Sequence, residues 1–193
     1  MSSPYIAIIF IGFPGIGKTA VGKKVATFIP NMVHIEQDQF YSHGKSDTQA
    51  YLHAIKKAVQ SHHVVLGKNH HNQKNVQEVI DVLTRYQVRY LVFNFVPEHI
   101  TQLPKEDQSV FITHLLDRIE QRSDASSPLC ITSEQSRSRA KQIIVHGFLN
   151  KYEEPNMDYT QLDYLLPIDD HVMTIIRCIR EKYADVYIND TLP

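Results

Sequence analysis

The sequence predicts a three-layer α/β/α fold, with a mainly parallel five-stranded sheet and a helical lid, in a single domain over residues 1–193. Three observations carry this prediction. Short β-branched apolar runs alternate with longer segments whose apolar residues recur at helical spacing, and strands separated by helices pair in parallel through crossover connections. A glycine-rich string that can cradle a phosphate stands between the first run and the first helix. The 193 residues are 42% apolar and 21% charged with a formal charge of −1, within the range of one compact domain with a substantial core.

In chain order, residues 5–11 are a continuous apolar strand ended by Gly-Phe-Pro-Gly, and residues 18–28 are a helix that stops before Pro30. A short strand at 32–35 runs into Glu36-Gln37-Asp38, and residues 46–60 carry Tyr51, Leu52, Ile55, Ala58 and Val59 at helical spacing. Residues 63–66 form a third strand, followed by a helix striped with Val76, Val79, Ile80 and Leu83, and residues 88–96 form a fourth strand. A helix over 105–122 buries Phe111, Leu115, Leu116 and Ile119 and leads to a polar, breaker-rich flap at 123–128, so that the lid spans about 118–136. A helix at about 133–152, a fifth strand at 162–168 and a closing helix at 172–183 complete the pattern, with no linker or repeat dividing it.

Composition excludes several classes of function. Near-neutral charge argues against a broadly basic nucleic-acid coat but leaves a local basic groove open. Cys130 and Cys178 cannot build a disulfide framework, and two thiols suit a reducing interior, so an intracellular location, cytoplasmic or nuclear, is expected. The longest apolar run, residues 6–13, is far short of the roughly 20 residues that cross a bilayer, and no membrane association is expected.

Of only 7 glycines, Gly12, Gly15, Gly17 and Gly22 crowd into one stretch. Gly12-Phe13-Pro14-Gly15-Ile16-Gly17-Lys18-Thr19 is a complete G-x-x-x-x-G-K-T string in the strand-to-helix context that such a string requires. The glycines let backbone N–H groups turn inward around a phosphate, and the following helix adds its free N-terminal donors. Lys18 would meet the β and γ phosphates, and the Thr19 hydroxyl would ligate Mg²⁺. Gly22, inside the helix, is expected to allow close packing on the sheet.

What becomes of the nucleotide depends on the other polar positions. No acid pair ends an apolar strand as in a hydrolytic motor, and Asn150-Lys151-Tyr152-Glu153 lacks the Asp of a GTPase switch. Asp38 instead follows the second strand at the carboxyl edge, where ligands bind in open α/β sheets, and could take the proton of an attacking hydroxyl. Strand alternation turns Glu36 to the opposite side, as a structural residue. Arg118 and Arg122 end a helix beside the flap; Arg122 reads as a lid cation that neutralises the transferring phosphate, or as a residue matched to the helix dipole. Arg137 and Lys141 share one side of the next helix, for the lid or for solvent. The paired histidines at 62–63 and 70–71 cannot converge on one ion and read as surface or loop residues. Lys68, Asn69 and His71 leave the third strand at the carboxyl edge as candidate acceptor contacts.

These residues resemble the kinase domain of fungal-type tRNA ligases, the polynucleotide 5′-kinase module of tripartite RNA-repair enzymes. The likeness covers almost the whole chain. It rests on the phosphate loop, on Phe-Ile-Pro-Asn-Met-Val-His-Ile-Glu-Gln-Asp at 28–38, on Val-Val-Leu-Gly-Lys-Asn-His-His-Asn-Gln at 64–73, on 91–95, and on the runs at 147–155 and 162–169. It implies a P-loop kinase-like fold, Mg²⁺, and transfer of the γ-phosphate of GTP or ATP to the 5′-OH end of RNA, or of DNA. Asp38 matches the general base and Arg122 stands near the lid arginine. Fungal members favour GTP. The sequence departs from the family at Gly67, where an Asp is usual, at Lys68, where an Arg is usual, and in the flap. Ligase and phosphodiesterase partners would act in trans or lie in a longer parent chain. Two other readings stay open: a kinase of a small acceptor (nucleoside, nucleotide or sugar), and a nucleotide-binding repair adaptor with weak catalysis.

Overall fold

The computed structural model describes residues 3–42, 45–121 and 129–189. In chain order its elements are β1 (Ile6–Ile11), α1 (Lys18–Phe28), β2 (Met32–Glu36), a 3-10 turn (Gln37–Phe40), β3 (Tyr41–Ser42), β4 (Lys45–Ser46), α2 (Thr48–Ala58), β5 (His63–Gly67), α3 (Gln73–Arg85), β6 (Arg89–Asn94), α4 (Lys105–Glu120), α5 (Glu134–Gly147), a 3-10 turn (Leu149–Lys151), β7 (Thr160–Gln161) and α6 (Ile168–Lys182).

All six residues of β1, IAIIFI, are buried. A strand with no polar face belongs inside a parallel sheet covered on both sides, and β1 is the middle strand of the order β2-β5-β1-β6-β7. Every pairing in this sheet is parallel, with His34 opposite Val65, Glu36 opposite Gly67 and Ile9 opposite Leu66. Right-handed crossovers then place α1 and α6 together on one face and α2 and α3 together on the other. Gly22 brings α1 close to the sheet: a Cβ there would stand 2.7 Å from His34 Nε2 and 3.1 Å from Val65 Cγ1. The close packing expected at this glycine is present.

The caps explain the helix starts. Asp47 accepts from Ala50 N at the head of α2, Asn72 from Asn75 N at α3, and Ser133 forms a capping box with Ser136 at α5.

The largest departure from expectation is the fifth strand. It is Thr160–Gln161, paired to Phe93 and Asn94, whereas 162–167 is a loop. Asp163 makes the difference: its Oδ1 accepts from Leu165 N and its carbonyl from Leu166 N, closing a turn that a strand cannot contain. Leu165 and Leu166 are accordingly 60% and 42% exposed, so the apolar run is not a buried one. Pro167 then opens α6, earlier than the apolar stripe indicates. The helix expected over 133–152 stops at Gly147 and continues as the 3-10 turn, and the strand at 88–96 is shorter at both ends. The flap at 123–128 and Arg122 lie outside the described residues.

Candidate nucleotide and acceptor site

The phosphate loop leaves the buried end of β1 and enters α1 through Gly15 and Gly17, whose φ values of 91° and 102° lie in the left-handed region. Both also lie under α4. A Cβ on Gly15 would stand 2.8 Å from the carbonyl oxygen of Leu115, and one on Gly17 would stand 2.7 Å from Arg118 Nη2. Glycine is therefore required twice over, for conformation and for space. Phe13, which reads as a loop residue in the sequence, is an anchor: its wholly buried ring packs at 5.7 Å from Phe111, 6.1 Å from Phe148 and 5.5 Å from Tyr152. Ile16 is also wholly buried, so of the loop's side chains only the half-exposed Pro14, Lys18 and Thr19 can approach a ligand.

Lys18 is 8% exposed, and its Nζ donates to the carbonyls of Gly12 and Phe13 and to Asn69 Oδ1, each at 2.9 Å. The ammonium is thus held over the loop by an acceptor for each of its three donors. Asn69 is the sequence candidate that the structure brings directly to Lys18. Lys68 and His71 leave the same segment in other directions. Lys68, 5% exposed, lies toward α2 with its Nζ 5.7 Å from the centre of the Tyr51 ring, and burial lowers its pKa against an opposing pull from Glu78. His71 Nδ1 lies 2.9 Å from the carbonyl of Asn69 and its ring meets Phe148 edge-on; burial lowers its pKa, with Lys151 and Lys68 adding to the effect.

Between them, His70 is not a surface or loop-exposed residue. It is fully buried beneath the loop, with Nδ1 2.8 Å from the carbonyl of Phe10. Burial drives its pKa down to about 3, so the ring is neutral and Nδ1 is the donor. The position was not legible in the sequence because adjacent histidines carry no periodicity.

Asp38 is exposed in the 3-10 turn after β2 and has no hydrogen-bond partner among the described residues. Asp38 follows β2, which is two strands from β1 in the sheet order, so it stands at the same carboxyl edge as the phosphate loop with the segment after β5 between them. Residues two apart along a strand share a face, so alternation does not turn Glu36 away from Asp38 as expected; Glu36 ends β2 and Asp38 lies beyond it in the 3-10 turn. Glu36 shares the α1 face with His34.

Arg118, which the sequence ranks behind Arg122, has its guanidinium against Gly17. Tyr164 flanks the same side of α4, 4.9 Å from Phe111 and 5.2 Å from His114. Arg137 is tied to Asp117 and Glu120, fastening α5 to α4 rather than facing the loop. Among the described residues no three His, Cys, Asp or Glu side chains gather to hold a metal. Thr19, half-exposed in the first turn of α1, fits Mg²⁺ held largely by phosphate oxygens and water, which is how that ion is usually bound. No helix among the described residues is long and apolar enough to cross a membrane.

The family model of the tRNA ligase kinase domain matches residues 6–172. By sequence, no curated protein is a significant match. Among solved structures, a fungal RNA kinase is similar with a TM-score of 0.66 at 18% identity, over 96% of this chain and 90% of that one. A gluconokinase from Sinorhizobium meliloti 1021 is similar with a TM-score of 0.57 at 13% identity, over 95% and 98% of the two chains. The APS kinase CysC of Mycobacterium tuberculosis, in complex with AMPPNP and APS, has a TM-score of 0.54 at 13% identity, over 91% and 98%. These likenesses show the P-loop kinase fold.

Proposed function

The chain belongs to the tRNA ligase kinase domain family, and from that premise we propose that it is a polynucleotide 5′-hydroxyl kinase, transferring the γ-phosphate of GTP or ATP to the 5′-OH end of RNA. The observation that carries this reading is the placement of Asp38 across the sheet edge from a complete phosphate loop whose lysine is fixed by Asn69.

In this reading the backbone of residues 12–17 and the ammonium of Lys18 bind the β and γ phosphates. Thr19 contributes its hydroxyl to Mg²⁺, and the ion supplies charge neutralisation for the phosphates. Asp38 accepts the proton of the acceptor hydroxyl as that oxygen bonds to the γ-phosphorus. The bond to the β–γ bridging oxygen breaks, and the nucleoside diphosphate leaves. Arg118 stabilises charge on the transferring group from above Gly17, and Arg122 has the lid-cation role that the resemblance implies. Of the acceptor candidates Lys68, Asn69 and His71, Asn69 stands nearest the reacting phosphate through its bond to Lys18, with Lys68 and His71 supporting the segment on either side. Ligase and phosphodiesterase activities act with it in trans or in a longer parent chain.

The test is transfer of labelled phosphate to a 5′-OH oligoribonucleotide, with a matched DNA, nucleosides and gluconate as competing acceptors. A free nucleoside or a sugar preferred over the RNA would replace this reading with the small-acceptor one, for which the gluconokinase-like fold is the precedent.

A further inference from the structure

We propose that Glu36 is a positioning carboxylate for the magnesium ion of the bound nucleotide, accepting hydrogen bonds from water around the ion, and that Gly22, His34 and Gly67 form the seat that holds it there. The inference rests on the nucleotide-binding reading above.

The His34 ring is wedged between two bare backbones. A Cβ at Gly22 would stand 2.7 Å from its Nε2, and a Cβ at Gly67 would stand 3.2 Å from it. The His34 side chain is only 8% exposed, and its Nε2 is buried with no hydrogen-bond partner among the described residues. The group it faces is the carboxylate of Glu36, with Oε1 at 3.7 Å. A buried nitrogen left in that state is costly and calls for a specific explanation.

Gly67 does for Glu36 what Gly22 does for His34. The Glu36 Cγ lies 3.1 Å, and Oε1 3.6 Å, from the place of a Gly67 Cβ, so the glutamate arm lies across the bare end of β5. A methyl group there would push it aside.

The height of the carboxylate follows from element geometry. The helix α1 runs antiparallel to β2, and His34 is level with Gly22. Two residues along a strand advance about 6.6 Å, which is about four residues back along a helix at 1.5 Å each. Glu36 is therefore level with the first turn of α1, where Thr19 stands, and Thr19 and Gly22 are three apart and share a helix face. A carboxylate beside a hydroxyl ligand, within reach of the ion's water but outside its direct ligand set, suits a cation that keeps several waters.

The test measures Mn²⁺ binding by loss of the free-ion EPR signal, with the protein loaded with a non-hydrolysable triphosphate analogue. Glu36→Gln should weaken Mn²⁺ about tenfold or more without changing metal-free nucleotide affinity. Gly67→Ala should weaken it in the same direction, and the double variant should be no worse than Glu36→Gln, because both act through one side chain. Mn²⁺ affinity in Glu36→Gln within about twofold of the parent, or additive effects in the double variant, would overturn the inference. Failure of the parent to bind the analogue, or unchanged binding in Lys18→Ala, would overturn the nucleotide reading and the inference with it.

Discussion

Asn69 Oδ1 accepts a hydrogen bond from Lys18 Nζ at 2.9 Å, joining the segment after β5 to the first residue of α1 across the mouth of the phosphate loop. A hydrogen bond to a charged group contributes about 1.5–3 kcal/mol. Asn69→Ala should therefore weaken nucleotide binding roughly tenfold by releasing the ammonium. Asn69→Asp should be worse, since a carboxylate pairs with Lys18 and repels phosphate. Titration of a fluorescent nucleotide checks both, with Lys18→Ala as the limit at which binding and turnover are lost.

Arg118 over Gly17 makes a second prediction. Arg118→Ala should lower kcat by about a hundredfold or more if the guanidinium neutralises the transferring phosphate. Lysine should rescue poorly because it lacks the planar fork. Gly17→Ala should impair both folding and turnover, since φ of 102° strains any L-residue and the new methyl collides with Arg118. Melting temperature and single-turnover rate separate the two effects.

His70 predicts a pH dependence of stability. Its folded pKa is lowered from 6.5 to about 3, so below pH 6.5 the unfolded chain takes up a proton that the folded one refuses. The contribution is complete above pH 6.5 and is lost as pH falls toward 3, by up to about 1.4 kcal/mol per pH unit. His70→Gln, which can still donate to the carbonyl of Phe10 but does not titrate, should flatten this slope in urea unfolding measured between pH 4 and 7.

Asp38 predicts a loss in the chemical step alone. Asp38→Asn should reduce kcat by about 10²–10⁴ and leave nucleotide affinity near that of the parent, because the residue is exposed and follows β2, two strands away from the β1 that carries the phosphate loop. Rapid-quench kinetics at saturating nucleotide reads the step directly.

Much of this arrangement is legible in the sequence, for physical reasons. A six-residue apolar strand followed by Gly-x-x-x-x-Gly-Lys-Thr has one structural context, and the β-α alternation carries the parallel sheet with it. The fifth strand is misplaced because Leu165 and Leu166 look like core until Asp163 is seen to close a turn. Phe13 and His70 are misread for a different reason: each is decided by what lies across from it in space, respectively the aromatic cluster of Phe111, Phe148 and Tyr152, and the carbonyl of Phe10. Local spacing contains none of these partners. The rank of Arg118 behind Arg122 has the same origin, since only the packing of α4 on Gly15 and Gly17 shows which turn of the helix covers the loop.

The most direct test of the central claim is thin-layer analysis of phosphate transfer from each of the four labelled nucleoside triphosphates to a 5′-OH oligoribonucleotide. The account predicts a 5′-phosphorylated RNA product with GTP or ATP as donor, absent in Lys18→Ala and strongly reduced in Asp38→Asn. Full activity in Asp38→Asn, or label reaching only small acceptors, would contradict it.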